Sequence, residues 1–185
     1  MTALGGSDPT ASDQGFANDT GASSTLTFTH EDGGTYTFKA ADLGLFCTTA
    51  ESGVQSLILT RADLIDDLKA DREPGFGALS SGPILYVELR VDKVTPGQEF
   101  RLPYEANSGD SSDRAMTFFV ASDEGGRRPN EASSAEPGAA GSVTVREAAC
   151  GPNPKLSVEI DGRLGSEVER PPLGPALTIA GSYHS

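Results

Sequence analysis

From Ile84 to Val94 the side chains alternate: Leu85, Val87, Leu89 and Val91 fall on one face, Tyr86, Glu88, Arg90 and Asp92 on the other. A period of two marks a β-strand with one buried and one solvated face, and such strands pair with antiparallel neighbours. The same period recurs in short pieces. Leu26, Phe28 and His30 alternate with Thr25, Thr27 and Thr29. After Glu31-Asp32-Gly33-Gly34, Tyr36 and Phe38 carry the pattern to Lys39, which makes a β-hairpin. Phe100, Leu102 and Tyr104 follow the Pro96-Gly97 turn, and Met116, Phe118 and Val120 come next. Val143 to Arg146, Leu156 to Ile160 and Leu177 to Tyr183 complete the series. The spacing predicts a mainly β fold: an antiparallel β-sandwich or open barrel of about eight or nine strands with one short helix.

The helix signal lies in Leu43–Lys69. Leu43, Leu45 and Cys47 share one face of a short strand with Phe46 on the other, Gly53 marks a turn, and Val54 to Thr60 return. Thr60 and Asp63 then read as a Thr-x-x-Asp helix start, the hydroxyl capping an orphan amide and the carboxylate favouring the positive end. Leu64, Ile65 and Leu68 form an apolar stripe, Asp66, Asp67, Lys69 and Asp71 point outward, and Pro74 ends the segment. About ten residues of helix do not hold alone, so this one must pack on the sheet.

With 185 residues the chain accommodates one domain. Apart from Met1, residues 1–23 carry only Leu4 and Phe16 as sizeable apolar side chains. Too little surface can be buried there to offset the entropy of ordering, so they read as a flexible tether before a single β-rich domain at 24–185. Asn18-Asp19-Thr20 matches a glycosylation sequon. Residues 124–141 hold no large apolar side chain and read as a mobile loop. The Pro171-Pro172 pair keeps its neighbourhood out of any central ladder.

A net charge of −13 repels phosphate backbones and anionic headgroups, which argues against a nucleic-acid partner. No apolar run approaches the roughly 20 residues of a membrane-spanning helix. Any membrane association would pass through an N-terminal lipid anchor absent from this chain. Leu4-Gly5-Gly6-Ser7 has the small residues of a lipoprotein cleavage site without its cysteine. No signal peptide opens the sequence, so an exported protein would have had its targeting segment removed.

Cys47 and Cys150 are too few and too far apart for a zinc site. In a turn-rich chain the economical reading is a disulfide made outside the cytoplasm, the alternative being two unrelated buried thiols. A bridge closing a loop of about 100 residues contributes up to about 4.7 kcal/mol on the chain-entropy account.

The search for catalytic chemistry yields no constellation. His30 and His184 are the only histidines, and neither a nucleophile elbow nor a phosphate loop is present. Cys47 beside Leu45 and Phe46 reads as a buried, inert sulfur. Asp110 and Asp113 in Ser108-Gly109-Asp110-Ser111-Ser112-Asp113 are weak calcium candidates, lacking the alternating acids and terminal Glu of a calcium loop. Glu88, Glu99 and Glu105 are the carboxylates that neighbouring strands could bring together for a glycosidase. Tyr86, Phe119 and Tyr183 are the aromatic side chains available to a carbohydrate.

Gly44-Leu45-Phe46-Cys47-Thr48-Thr49, with the Gly turn and the apolar run Ser56 to Thr60 behind it, resembles the first-cysteine region of the mycobacterial 19 kDa lipoprotein antigen family. The resemblance spans about a sixth of the chain. It implies a lipid-anchored envelope protein with a Ser/Thr/Gly/Ala-rich tether and a small β domain closed by one disulfide. Here about 35 residues follow Cys150, whereas the family's second cysteine lies almost at the C-terminus. It carries over no catalytic residue. The expectation is an exported, surface-tethered, non-enzymatic domain, extracellular or in the cell envelope, that acts in binding an unknown protein or envelope ligand or as an envelope component, and uses no cofactor. The rivals are a small carboxylate- or calcium-dependent hydrolase and a carrier of a small apolar ligand.

Overall fold

The computed structural model describes residues 24–30, 34–70, 82–103, 115–122, 130–165 and 177–185. Eleven strands lie among them: β1 Thr25–His30, β2 Thr35–Lys39, β3 Leu43–Thr49, β4 Gln55–Arg61, β5 Ile84–Arg90, β6 Gln98–Leu102, β7 Met116–Ser122, β8 Asn130–Ser133, β9 Ala140–Ala149, β10 Lys155–Leu164 and β11 Leu177–His184. They form a six-stranded sheet in the order β2-β1-β11-β10-β9-β6 and a five-stranded sheet in the order β3-β4-β5-β7-β8. Every pairing is antiparallel. The fold is an antiparallel sandwich of two open sheets, as expected, and not a closed barrel.

The inward row of each strand builds one core. Leu26, Phe28, Val143, Val145, Leu156, Val158 and Ile179 come from the six-stranded sheet, and Leu57, Leu59, Leu85, Val87, Leu89 and Phe118 from the other. The inward rows expected for β10 and β11, through Leu156–Ile160 and Leu177–Tyr183, are buried.

Two anchors show how the sheets cross. The chain leaves β2 at Lys39 and, after a 3-10 turn at Ala40–Asp42, starts β3. Lys39 stands opposite Thr25, Thr25 opposite Ser182, Ser157 opposite His184, and Lys155 opposite Ala149. All these residues therefore mark one end of the six-stranded sheet. Cys47, four residues into β3, is bonded to Cys150, just past Ala149. Hence β3 runs across the strand ends from the β2 corner towards β9, as in orthogonal packing. At the opposite end, where β10 finishes at Leu164, Ser133 of β8 forms a bridge with Gly165. The five-stranded sheet thus reaches from one end of its partner to the other.

A bulge in β9 sets the direction of Cys150. Val143 and Val145 point into the core, so strict alternation would turn residues 148 and 150 outward. Glu147 pairs with Ser157 but Val145 pairs with Val158, leaving Arg146 as an extra residue. This insertion reverses the alternation, as bulges do. Ala148 and Cys150 then pack against the core.

Four expectations are corrected in detail. The strand from Ile84 stops at Arg90 and gives way to a 3-10 turn at Val91–Lys93. The helix is shorter than ten residues: a 3-10 turn at Ala62–Leu64 leads into α1, Ile65–Lys69. Thr60 does not cap it, because its Oγ1 donates to the Leu85 carbonyl at 2.7 Å, inside the sheet. The span 124–141, expected as loop, contains β8 and buries Ala132, Ser134 and Ala139. Small side chains do the packing there and leave no apolar period to read. The tether at 1–23 lies outside the described residues.

Candidate functional site

The sequence singles out Cys47, Cys150, Asp110 and Asp113. The first two are joined, Cα atoms 5.7 Å apart, and no free cysteine remains. Cys47 is therefore no nucleophile. The Cys150 sulfur lies 3.8 Å from the Ser56 carbonyl oxygen, a packing contact, since an oxidised sulfur has no proton to donate. Asp110 and Asp113 fall outside the described residues, as do Asp71 and Glu105.

The bridge links β3 of one sheet to the end of β9 in the other. On the outer side of β3, Ile65 of α1 fills the space above Gly44: a Cβ at Gly44 would stand 2.0 Å from Ile65 Cδ1. The Lys69 ammonium lies 5.7 Å from the Phe46 ring centroid, a cation–π contact. The start of this element is held by Arg61, itself buried. Its Nε donates to Asp63 Oδ1 at 2.9 Å, its Nη2 to Asp63 Oδ2, and its Nη1 to the Gly82 carbonyl at 2.9 Å. One guanidinium thus ties the turn before α1 to the chain entering β5. The hydrogen bond from Arg61 holds the Asp63 carboxyl below its usual range, against the smaller opposing effect of desolvation. The helix acids do not converge on an ion: Asp63 is committed to Arg61, and Asp66 is exposed.

Of the three carboxylates named for a glycosidase, Glu88 and Glu99 lie among the described residues. Glu88 stands on β5 of the five-stranded sheet and Glu99 on β6 of the six-stranded sheet, so the two carboxylates belong to different layers. Glu88 accepts a hydrogen bond from the Tyr86 hydroxyl at 3.2 Å. Burial first, then the charge of Glu88, pushes the Tyr86 hydroxyl far above its ordinary value, so this tyrosine stays protonated. Phe119 is half-buried opposite Tyr86, and Tyr183 belongs to the core. Among the described residues no group of three or more His, Cys, Asp or Glu could hold a metal ion.

Sequence reasoning missed one pair. Ser157 Oγ and His184 Nδ1 lie 2.7 Å apart on the outer side of the six-stranded sheet, near its Lys39 end. The residues stand opposite each other in the β10–β11 ladder, 27 positions apart in sequence, and only the register brings them together. A nucleophilic pair needs an acid to orient the imidazole and donors to receive an oxyanion. The nearby carboxylate, Glu159, is gripped by both Nε and Nη2 of Arg146, each at 2.9 Å. That hydrogen-bonded fork holds the Glu159 carboxyl below its usual range, with the charges of Arg146 and His184 acting in the same direction. His184 is exposed, and its backbone N–H donates to Ser24 Oγ at 3.0 Å. The pair links the facing ends of β10 and β11.

His30 closes β1 opposite Leu177, as the strand-edge reading expects. No helix among the described residues is long and apolar enough to cross a membrane. The disulfide is legible in both sequence and structure, and an oxidised pair suits a non-reducing environment. No family model matches this chain, and neither a curated protein nor a solved structure matches it.

Proposed function

We propose that this is an exported, surface-tethered, non-enzymatic domain that acts in the cell envelope or outside the cell by binding a protein or envelope ligand. The observation that carries this reading is the Cys47–Cys150 bond between the two sheets. Such bonds persist in oxidising compartments and are rare where thiol reductants hold cysteines reduced. The resemblance of Gly44–Thr49 to the first-cysteine region of the lipoprotein antigen family supports the same compartment. The small-residue stretch 1–23 would serve as the tether. The non-enzymatic part rests on the separated carboxylates Glu88 and Glu99 and on a Ser157–His184 pair without an orienting acid.

The test is to isolate the protein from its native host, alkylate it under denaturing conditions before reduction, and weigh it while fractionating the cells. The reading expects no alkylated cysteine and recovery in the envelope or the medium. Two alkylated cysteines in a cytoplasmic fraction would overturn it.

A further inference from the structure

We propose that the disulfide is a conditional clasp: its reduction releases β3 together with α1 while the six-stranded sheet stays folded. Five observations on this corner converge. β3 has a ladder on one side only, to β4, and forms the boundary of its sheet. Its share of the main core is small: Leu43 is buried at 8% exposure and Leu45 and Cys47 are partly buried, while Phe46, buried at 5%, stands outside that cluster; Leu57 and Leu59 of β4 are at 0%. The element resting on it, α1, has five residues and cannot hold its helical form without a surface beneath it. At the β2 corner the turn before β3 is tied to the six-stranded sheet by the bond from Ala40 N–H to the Ser24 carbonyl, 3.0 Å. At the other end of β3 the tie is the disulfide. Opening that bond leaves a strand hinged at Ala40–Asp42 with its far end loose.

Both cysteines are partly buried, and a small dithiol reaches the sulfurs as the edge of the sheet opens locally. Its thiolate attacks one sulfur, forming a mixed disulfide and expelling the other as thiolate, which takes up a proton. The reagent's second thiol then displaces the remaining cysteine. The protein gains two electrons and two protons, and the dithiol becomes a cyclic disulfide. Local opening is the expected response, because elements with few buried contacts have opening free energies well below that of the whole domain.

This inference uses the same bond as the compartment reading but concerns the purified, oxidised chain, so cysteines found free in the native host would sink that reading alone. The experiment is amide hydrogen exchange of the oxidised protein with and without dithiothreitol, repeated on the C47S/C150S variant without reagent. Exchange in β3 and α1 should rise by at least about tenfold more than in β1, β10 and β11, whose rates follow only the lowered stability of the whole domain. Unchanged exchange in β3 would overturn the proposal, since the β4 ladder would then suffice. An equal rise in every strand would also overturn it, because the bond would then stabilise only the domain as a whole.

Discussion

The two sheets are joined at opposite ends by different means. At the Lys39 end, β3 is fastened to the end of β9 by a covalent bond. At the Leu164 end, β8 meets the chain beyond β10 through two backbone hydrogen bonds: Ser133 N–H to the Gly165 carbonyl at 2.8 Å and Gly165 N–H to the Ser133 carbonyl at 3.0 Å. The first seam needs two specific side chains, and the second needs almost none. Around Gly165 the Pro137 and Glu136 carbonyl oxygens would lie 2.3 and 2.5 Å from a Cβ, so the contact exists because none is there. Ser134, wholly buried, supports that seam by fixing the end of β8 to β7 within its own sheet: its N–H donates to the Phe118 carbonyl at 2.8 Å, and its Oγ accepts from the Phe118 N–H at 3.0 Å. A covalent seam tolerates loose surroundings, whereas a hydrogen-bonded seam needs close packing.

The strongest way to break the comparison is to remove the covalent seam, read by chemical denaturation. The C47S/C150S variant should lose about 2–5 kcal/mol, the usual range for a native disulfide. At the other seam, Gly165→Ala is expected to cost about 1–3 kcal/mol, because the new methyl meets backbone oxygens that cannot swing aside. A similar clash at Gly44 should be milder, since there the obstacle is the tip of the Ile65 side chain. Ser134→Ala leaves the Phe118 amide unpaired in the interior and should cost about 1–2 kcal/mol. A loss below a few tenths of a kcal/mol at both Gly165 and Ser134 would show that the second seam contributes nothing.

The smallest effect is electrostatic. Arg61 lowers the Asp63 carboxyl and Arg146 lowers that of Glu159, so both favour the folded state above the ordinary carboxylate range. That contribution fades as the pH falls through the lowered folded-state values. Both carboxylates are largely solvent-exposed and the pairs are screened, so acid midpoints of R61M and R146M should differ from the parent only slightly at high salt. The R61M substitution should also loosen the turn before α1, which makes it the more informative of the two.

Much of the fold was legible in the sequence because large apolar side chains were spaced by two. The strands through Phe28, Val87, Phe118, Val158 and Ile179 all announce themselves that way, and the antiparallel sandwich follows from their solvated outer rows. Strand β8 was illegible because Ala132 and Ser134 are too small to mark a buried face. The helix start at Thr60 was misread because its hydroxyl found a partner on the adjacent strand, a contact that no local rule contains. Of the candidate site residues, the cysteine pair was readable from compartment logic. The Ser157–His184 contact was not, since it depends on the register of two strands.

The sequence alone determined the secondary-structure class, the inward rows of most strands and the expectation of one disulfide, because these depend on side-chain type and short-range period. Tertiary structure decided the pairing order, the crossing of the sheets and the direction of Cys150. The physical reason lies in β9: one inserted residue, Arg146, reverses every side chain beyond it, and only the partner strand reveals which residue is the extra one.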